Sequence, residues 1–171
     1  MSYTYRGKRS PDQQAEQRRQ KLELGILAYC KAIGSISTRL SALRNQRDQE
    51  IAQAIWDGVA VQTVAAAAAM TAAEARSIGL ACEDLGPGYC SAASRLETLS
   101  ALTQQVARLH TAQKELLGQQ EQLSLTALET TALDAPWLAA ASGFSVERVN
   151  MLAQQKRRHA ITLNQARVPR P

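Results

Sequence analysis

The chain has 171 residues, of which 45% are hydrophobic and only 4% aromatic, enough apolar content for one large or two small helical cores. Its formal charge of +5 is uneven: eight of the 20 basic residues lie in 1–10 and 154–171, leaving 12 bases against 15 acids between them, which excludes a uniformly basic surface. Three cysteines without CxxC spacing and no long apolar run speak against a disulfide framework, a zinc site and a membrane span, so a reduced, cytoplasmic protein is expected.

Alanine, leucine, glutamine and arginine dominate, and no stretch alternates as a strand does, so an all-α fold is expected. Residues 1–10 carry Arg6, Lys8 and Arg9 without an acid and read as a mobile basic arm. Ser10-Pro11-Asp12-Gln13 is a helix start, with an N-cap serine, a proline at the first helical position and a glutamine placed to complete a capping box. Leu22, Ile26, Tyr29, Ile33, Ile36, Leu40 and Leu43 then form a heptad seam, predicting a long helix to about Arg47. Gly25 and Gly34 interrupt it as candidate points of close helix approach. A separate short helix, Gln49 to Trp56, is expected to pack on the pair that follows.

Leu85-Gly86-Pro87-Gly88 is the strongest breaker in the chain and divides it into 11–85 and 89–160. A second long helix is expected from the capping-box pattern Ser94-Arg95-Leu96-Glu97, with Leu99, Leu102, Val106, Leu109, Leu116 and Leu123 on its seam. Gln113 and Gln120 fill polar seam positions, which fix register at some cost in stability. Leu123 to Leu133 is expected as another short helix, and 161–171 as a basic tail. Trp56 and Trp137 are expected as core anchors, and the cysteines as small core fillers.

Offset by 74 residues, the chain resembles itself: Leu22-Glu23 falls on Leu96-Glu97, Val64-Ala65-Ala66 on Leu138-Ala139-Ala140, Met70-Thr71 on Phe144-Ser145, and Ile78 on Leu152. The expected fold is therefore two repeats of a long helix plus a trihelical unit. The long helices pack as a coiled coil, either antiparallel within one chain, which puts the units at opposite ends of a dumbbell, or between chains in a homodimer.

From Pro136 to Leu152 the sequence resembles the helix-turn-helix of bacterial DNA-binding proteins. Ala139 is small where two helices cross, Gly143 suits the tight turn, Leu138, Phe144, Val149 and Leu152 face a core, and Ser145 caps the second helix. The resemblance implies that the second helix enters the major groove of double-stranded DNA with Val146, Glu147, Asn150 and Met151 outward. Asn150 then suits adenine and Val146 a thymine methyl, while Ser145 and Arg148 suit phosphate. Lys156, Arg157 and Arg158 follow as further phosphate contacts. Val64 to Ile78 fits the same pattern through Val64, Ala65, Met70, Ala75 and Ile78, with Ala69 in place of the turn glycine and Thr71 and Glu74 as a capping box. Its contact candidates are Thr71, Ala72, Arg76 and Ser77.

No glycine-rich phosphate loop, metal-spaced cluster or nucleophile-base set stands out, so no cofactor and no enzymatic activity are expected. The reading is a sequence-specific DNA-binding protein, a regulator of a bacterium or its mobile elements. The alternative is a helical adaptor or architectural protein whose trihelical units, or long helices, dock a protein partner, because residues 48–84 hold six acids against Arg76 alone and would repel phosphate unless those acids point away.

Overall fold

The structure, a computed structural model, describes residues 10–82, 85–86, 88, 90–130 and 134–154. The basic arm, the basic tail and Lys156, Arg157 and Arg158 lie outside the described residues. The described chain is all-helical, with α1 (Pro11–Trp56), α2 (Val61–Ala67), α3 (Ala72–Ala81), α4 (Ala92–Thr130), α5 (Ala135–Ser142) and a sixth helix, α6, described over 146–154. None of these helices is long and apolar enough to cross a membrane.

α1 begins as the sequence predicts. The Ser10 hydroxyl accepts from the Gln13 N–H and the Gln13 side chain accepts from the Ser10 N–H, each at 3.3 Å. It does not stop near Arg47 but runs 46 residues to Trp56, so the separate helix at Gln49 to Trp56 does not exist. The physical reason is that no proline or glycine stands between Gly34 and Gly58. Gly58, at φ +86°, ends the helix: its N–H reaches the Ile55 carbonyl and the Val59 N–H the Ala54 carbonyl, a Schellman closure. α4 is likewise continuous from Ala92 to Thr130, without a break before a separate helix at Leu123. Its cap is Ser91, whose hydroxyl accepts from the Ser94 N–H at 3.2 Å. Ser91 is the first hydroxyl after the breaker, and two alanines follow it, so the helix starts ahead of the Ser94–Glu97 box.

The chain forms two compact units that do not follow chain order: Gly34–Lys114, and Met1–Ile33 together with Glu115–Pro171. Each long helix therefore contributes to both. In the Gly34–Lys114 unit, Ile51 and Ala54 of α1, Val64 and Ala65 of α2, Ala75 of α3 and Leu99 of α4 make one buried core. Fully burying a side chain such as Ile51 contributes roughly 1.5–3 kcal/mol. The α1 and α4 segments run antiparallel here. Gln113 donates to the Ser37 hydroxyl at 2.7 Å, and one turn into α4 Arg95 reaches Glu50 at 3.0 Å and Asp57 at 2.8 Å. Arg95 is only 8% exposed, so the two carboxylates offset the cost of burying its charge. Gly88 lies so close to the Asp57–Arg95 pair that any Cβ would collide with it, and Gln53 donates to the Gly86 carbonyl at 2.8 Å. The breaker segment is thus fastened onto the end of α1.

In the other unit, Ile26 of α1, Ala127 of α4, Leu138 and Ala139 of α5 and Val149 of α6 form the core, with Trp137 and Phe144 packed against it. Gly25 is a point of close approach, since a Cβ there would sit 2.9 Å from Leu123 Cδ2, whereas Gly34 faces open space. Two other expectations fail. Trp56, the last residue of α1, is 64% exposed although Ala52 one turn earlier is buried, and Cys90 is exposed in the segment ahead of α4.

α2 and α3 are joined by a left-handed residue without glycine: Ala69 has φ +51°. The Met70 N–H reaches the Ala65 carbonyl and the Ala69 N–H the Ala66 carbonyl, the same closure as at Gly58. A left-handed L-residue carries a penalty of roughly 1–2 kcal/mol, against about 0.5–1 for the added freedom of glycine. Ala69→Gly is expected to raise stability by about 0.5–1 kcal/mol, and Gly143→Ala, at φ +74°, to lower it by about 1 kcal/mol; urea unfolding of both variants measures the opposite signs.

Candidate nucleic-acid interface

α5 begins with Asp134, whose carboxylate accepts from the Trp137 N–H at 2.9 Å, and with proline in its first turn. Its inner face is Leu138, Ala139 and Ser142, all buried. Gly143 then turns the chain, its N–H closing on the Ala139 carbonyl at 3.0 Å. The turn is held by side chains as well. Gln120 of α4, 1% exposed, donates to the Ser142 carbonyl at 3.0 Å, and the Ser142 hydroxyl donates to the Leu138 carbonyl and accepts from the Phe144 N–H. The polar seam position is thus a tether for the turn, a role that heptad spacing does not reveal.

α6 follows with Ser145 as its cap, the hydroxyl accepting from the Arg148 N–H at 3.1 Å. Val149 and Leu152 are buried, 1% and 7% exposed, while Val146, Glu147, Asn150 and Met151 are exposed. This is the helical consequence of burying positions 149 and 152, since residues 146, 147, 150 and 151 then occupy the remaining arc. Glu147 is held below the ordinary glutamate value of 4.5, first by a hydrogen bond from its own backbone N–H and then by the Ser145 hydroxyl. The outward face therefore carries a carboxylate that stays ionised at neutral pH.

Arg148 is not free. Its guanidinium pairs with Glu121 of α4 at 2.6 Å, the side chains being 44% and 28% exposed. Glu121 is thus a member of this surface that sequence reasoning missed; it lies 27 residues away in the chain, and no spacing rule connects the two.

The other candidates lie on α3. Thr71 and Glu74 form a reciprocal capping box, with the Thr71 N–H and hydroxyl donating to the Glu74 carboxylate at 2.8 and 2.7 Å. These bonds hold Glu74 below its ordinary value. Ala72 is partly buried against the core, where it offers little to a ligand, while Arg76 and Ser77 are exposed. Arg76 stands beside an apolar groove and not among other bases. Among the described residues, no three His, Cys, Asp or Glu side chains gather as a metal site. No protein-family model, curated protein or solved structure matches this chain.

Because the Glu147 carboxylate is depressed in the folded state, its contribution to stability is present above the ordinary glutamate value of 4.5 and is lost as pH falls through the lower folded value. Urea midpoints measured across that acid range should fall less steeply for Glu147→Gln than for the unaltered protein.

Proposed function

We propose that the protein binds double-stranded DNA through α6, as a regulator or an architectural protein. The observation that supports this most is the pairing of two faces on one short helix: Val149 and Leu152 anchor it in the core, and Val146, Glu147, Asn150 and Met151 stand in solvent on the rest of its surface. The sequence then continues into Lys156, Arg157 and Arg158, a run of bases suited to phosphate that follows α6 closely in the chain. On this reading Asn150 pairs with adenine and Val146 and Met151 meet thymine methyl groups, while the ionised Glu147 suits a cytosine amino group and repels phosphate.

The two units are read as copies of one duplicated element. In support, left-handed residues stand at 69 and 143 and N-caps at Thr71 and Ser145, and buried positions recur at Val64 and Leu138, Ala65 and Ala139, and Ala75 and Val149. Each pair is separated by 74 residues. The antiparallel course of α1 and α4 within one unit favours an intrachain pairing of the seams over a dimeric one.

Selection from a randomised duplex pool followed by titration tests the reading. Asn150→Ala should weaken the selected site by about tenfold, in line with the roughly 1–3 kcal/mol of a bidentate base contact, while leaving random duplex unchanged. The combined Lys156, Arg157 and Arg158 to Ala change should weaken both and flatten the salt dependence by about three counterions. Absence of any enriched site overturns sequence-specific binding.

The Arg148–Glu121 pair yields a separate expectation. Glu121→Gln releases the guanidinium to phosphate, so affinity for random duplex should rise and the salt slope steepen by about one counterion.

A further inference from the structure

The correspondence at an offset of 74 residues extends to a pair of opposite charges, with the signs exchanged. In the unit formed by Met1–Ile33 and Glu115–Pro171, Arg148 in the first turn of α6 pairs with Glu121 of α4 at 2.6 Å. The residues 74 positions earlier are Glu74, in the first turn of α3, and Arg47 of α1. Their local setting is the same. The cap hydroxyl, Ser145 or Thr71, accepts from the backbone N–H of Arg148 or Glu74, at 3.1 and 3.2 Å. Glu74 also lies within the field of Arg47: its carboxyl is held below the ordinary value first by the Thr71 bonds and further by that guanidinium. Arg47 itself bonds Asp48 at 3.0 Å.

In both units the partner on the short helix is the more exposed one. The Arg148 side chain is 44% exposed against 28% for Glu121, and Glu74 is exposed where the Arg47 side chain is 19% exposed. α6 therefore turns a cation to solvent at the position where α3 turns an anion. The sequence repeats this reversal further on, since Arg157 and Arg158 correspond to Glu83 and Asp84. Two positions run the other way, Glu147 against Ala73 and Asn150 against Arg76, yet the balance stands: residues 145–158 hold four bases and one acid, and residues 71–84 one base and three acids. A DNA duplex carries one negative charge per roughly 1.7 Å of its axis, so it attracts the first of these segments and repels the second.

We infer that, of the two copies, only α6 is brought against DNA phosphate and α3 is kept off it, with Arg148 and Glu74 as the residues that decide the difference. The inference rests on the reading of α6 as a DNA-binding helix. It removes Thr71, Ala72, Arg76 and Ser77 from the contacts that the helix-turn-helix resemblance implies.

The test uses the full chain and a fluorescein-labelled duplex of random sequence, followed by anisotropy at several salt concentrations. Exchanging the pair, Glu121→Arg together with Arg148→Glu, keeps two opposite charges in place and leaves the net charge of the protein unchanged. It moves the cation from α6 to α4. Duplex affinity is expected to fall about tenfold and the salt slope to lessen by about one counterion. Arg148→Gln, which alters a single partly exposed side chain, should weaken binding in the same direction by about threefold, so the expectation stands even where circular dichroism shows that the exchanged protein does not fold. On α3, Arg76→Glu should leave affinity within about twofold, because no phosphate is in contact there. Binding indifferent to both changes at Arg148, or weakened by Arg76→Glu as much as by the exchange, overturns the inference. In that event a selected site still sensitive to Asn150→Ala leaves DNA reading by α6 standing, whereas an unaltered protein that binds no duplex overturns both.

Discussion

A single left-handed residue between two short helices governs the form of each unit: Ala69 between α2 and α3, and Gly143 between α5 and α6. Reversing the chain within so few residues brings the buried face of the first short helix onto the buried face of the second, Val64 and Ala65 with Ala75 in one unit, Leu138 and Ala139 with Val149 in the other. The small alanines permit this close crossing, and a larger side chain at either would separate the helices. With the inner faces committed, the outer face of α3 or α6 is fixed as whatever remains. The surface available to a partner is therefore a by-product of the turn.

The long helices supply the walls against which these pairs close, and they do so with polar as well as apolar groups. Gln120 gives up solvent to bind the Ser142 carbonyl, and Arg95 is buried between Glu50 and Asp57. Neither arrangement is an efficient source of net stability, since desolvation offsets much of each interaction. Their contribution is geometric. An apolar contact tolerates sliding by a few tenths of an ångström, whereas a directed hydrogen bond or a two-carboxylate cradle does not, so these groups set where the turn and the start of α4 lie.

The two units present different chemistry at corresponding positions. The exposed face of α6 is mostly polar, with one valine, one methionine and an ionised glutamate, and the chain beyond it is basic. The exposed end of α3 is apolar around Trp56 and Leu80, with one arginine. Fold and surface separate cleanly here: the buried positions match between units, while the exposed ones that determine ligand chemistry do not.

The sequence by itself determined the all-helical class, the capping boxes at Ser10 and Thr71, the glycine turn at Gly143 and the inward residues of both units, because each follows from local backbone preference and helical periodicity. Its limits are equally physical. It ended α1 at Arg47 and started a separate helix at Leu123, although no proline or glycine stands at either point, and it buried Trp56 because it placed a helix junction beside it. Only the tertiary structure decided that Trp56 is exposed, that Arg148 is held by Glu121, that Gln120 tethers the α5–α6 turn, and that the packing units cut across the halves of the chain. Those outcomes depend on which distant segments meet, and neither propensity nor spacing encodes a contact between residues 27 or 22 positions apart.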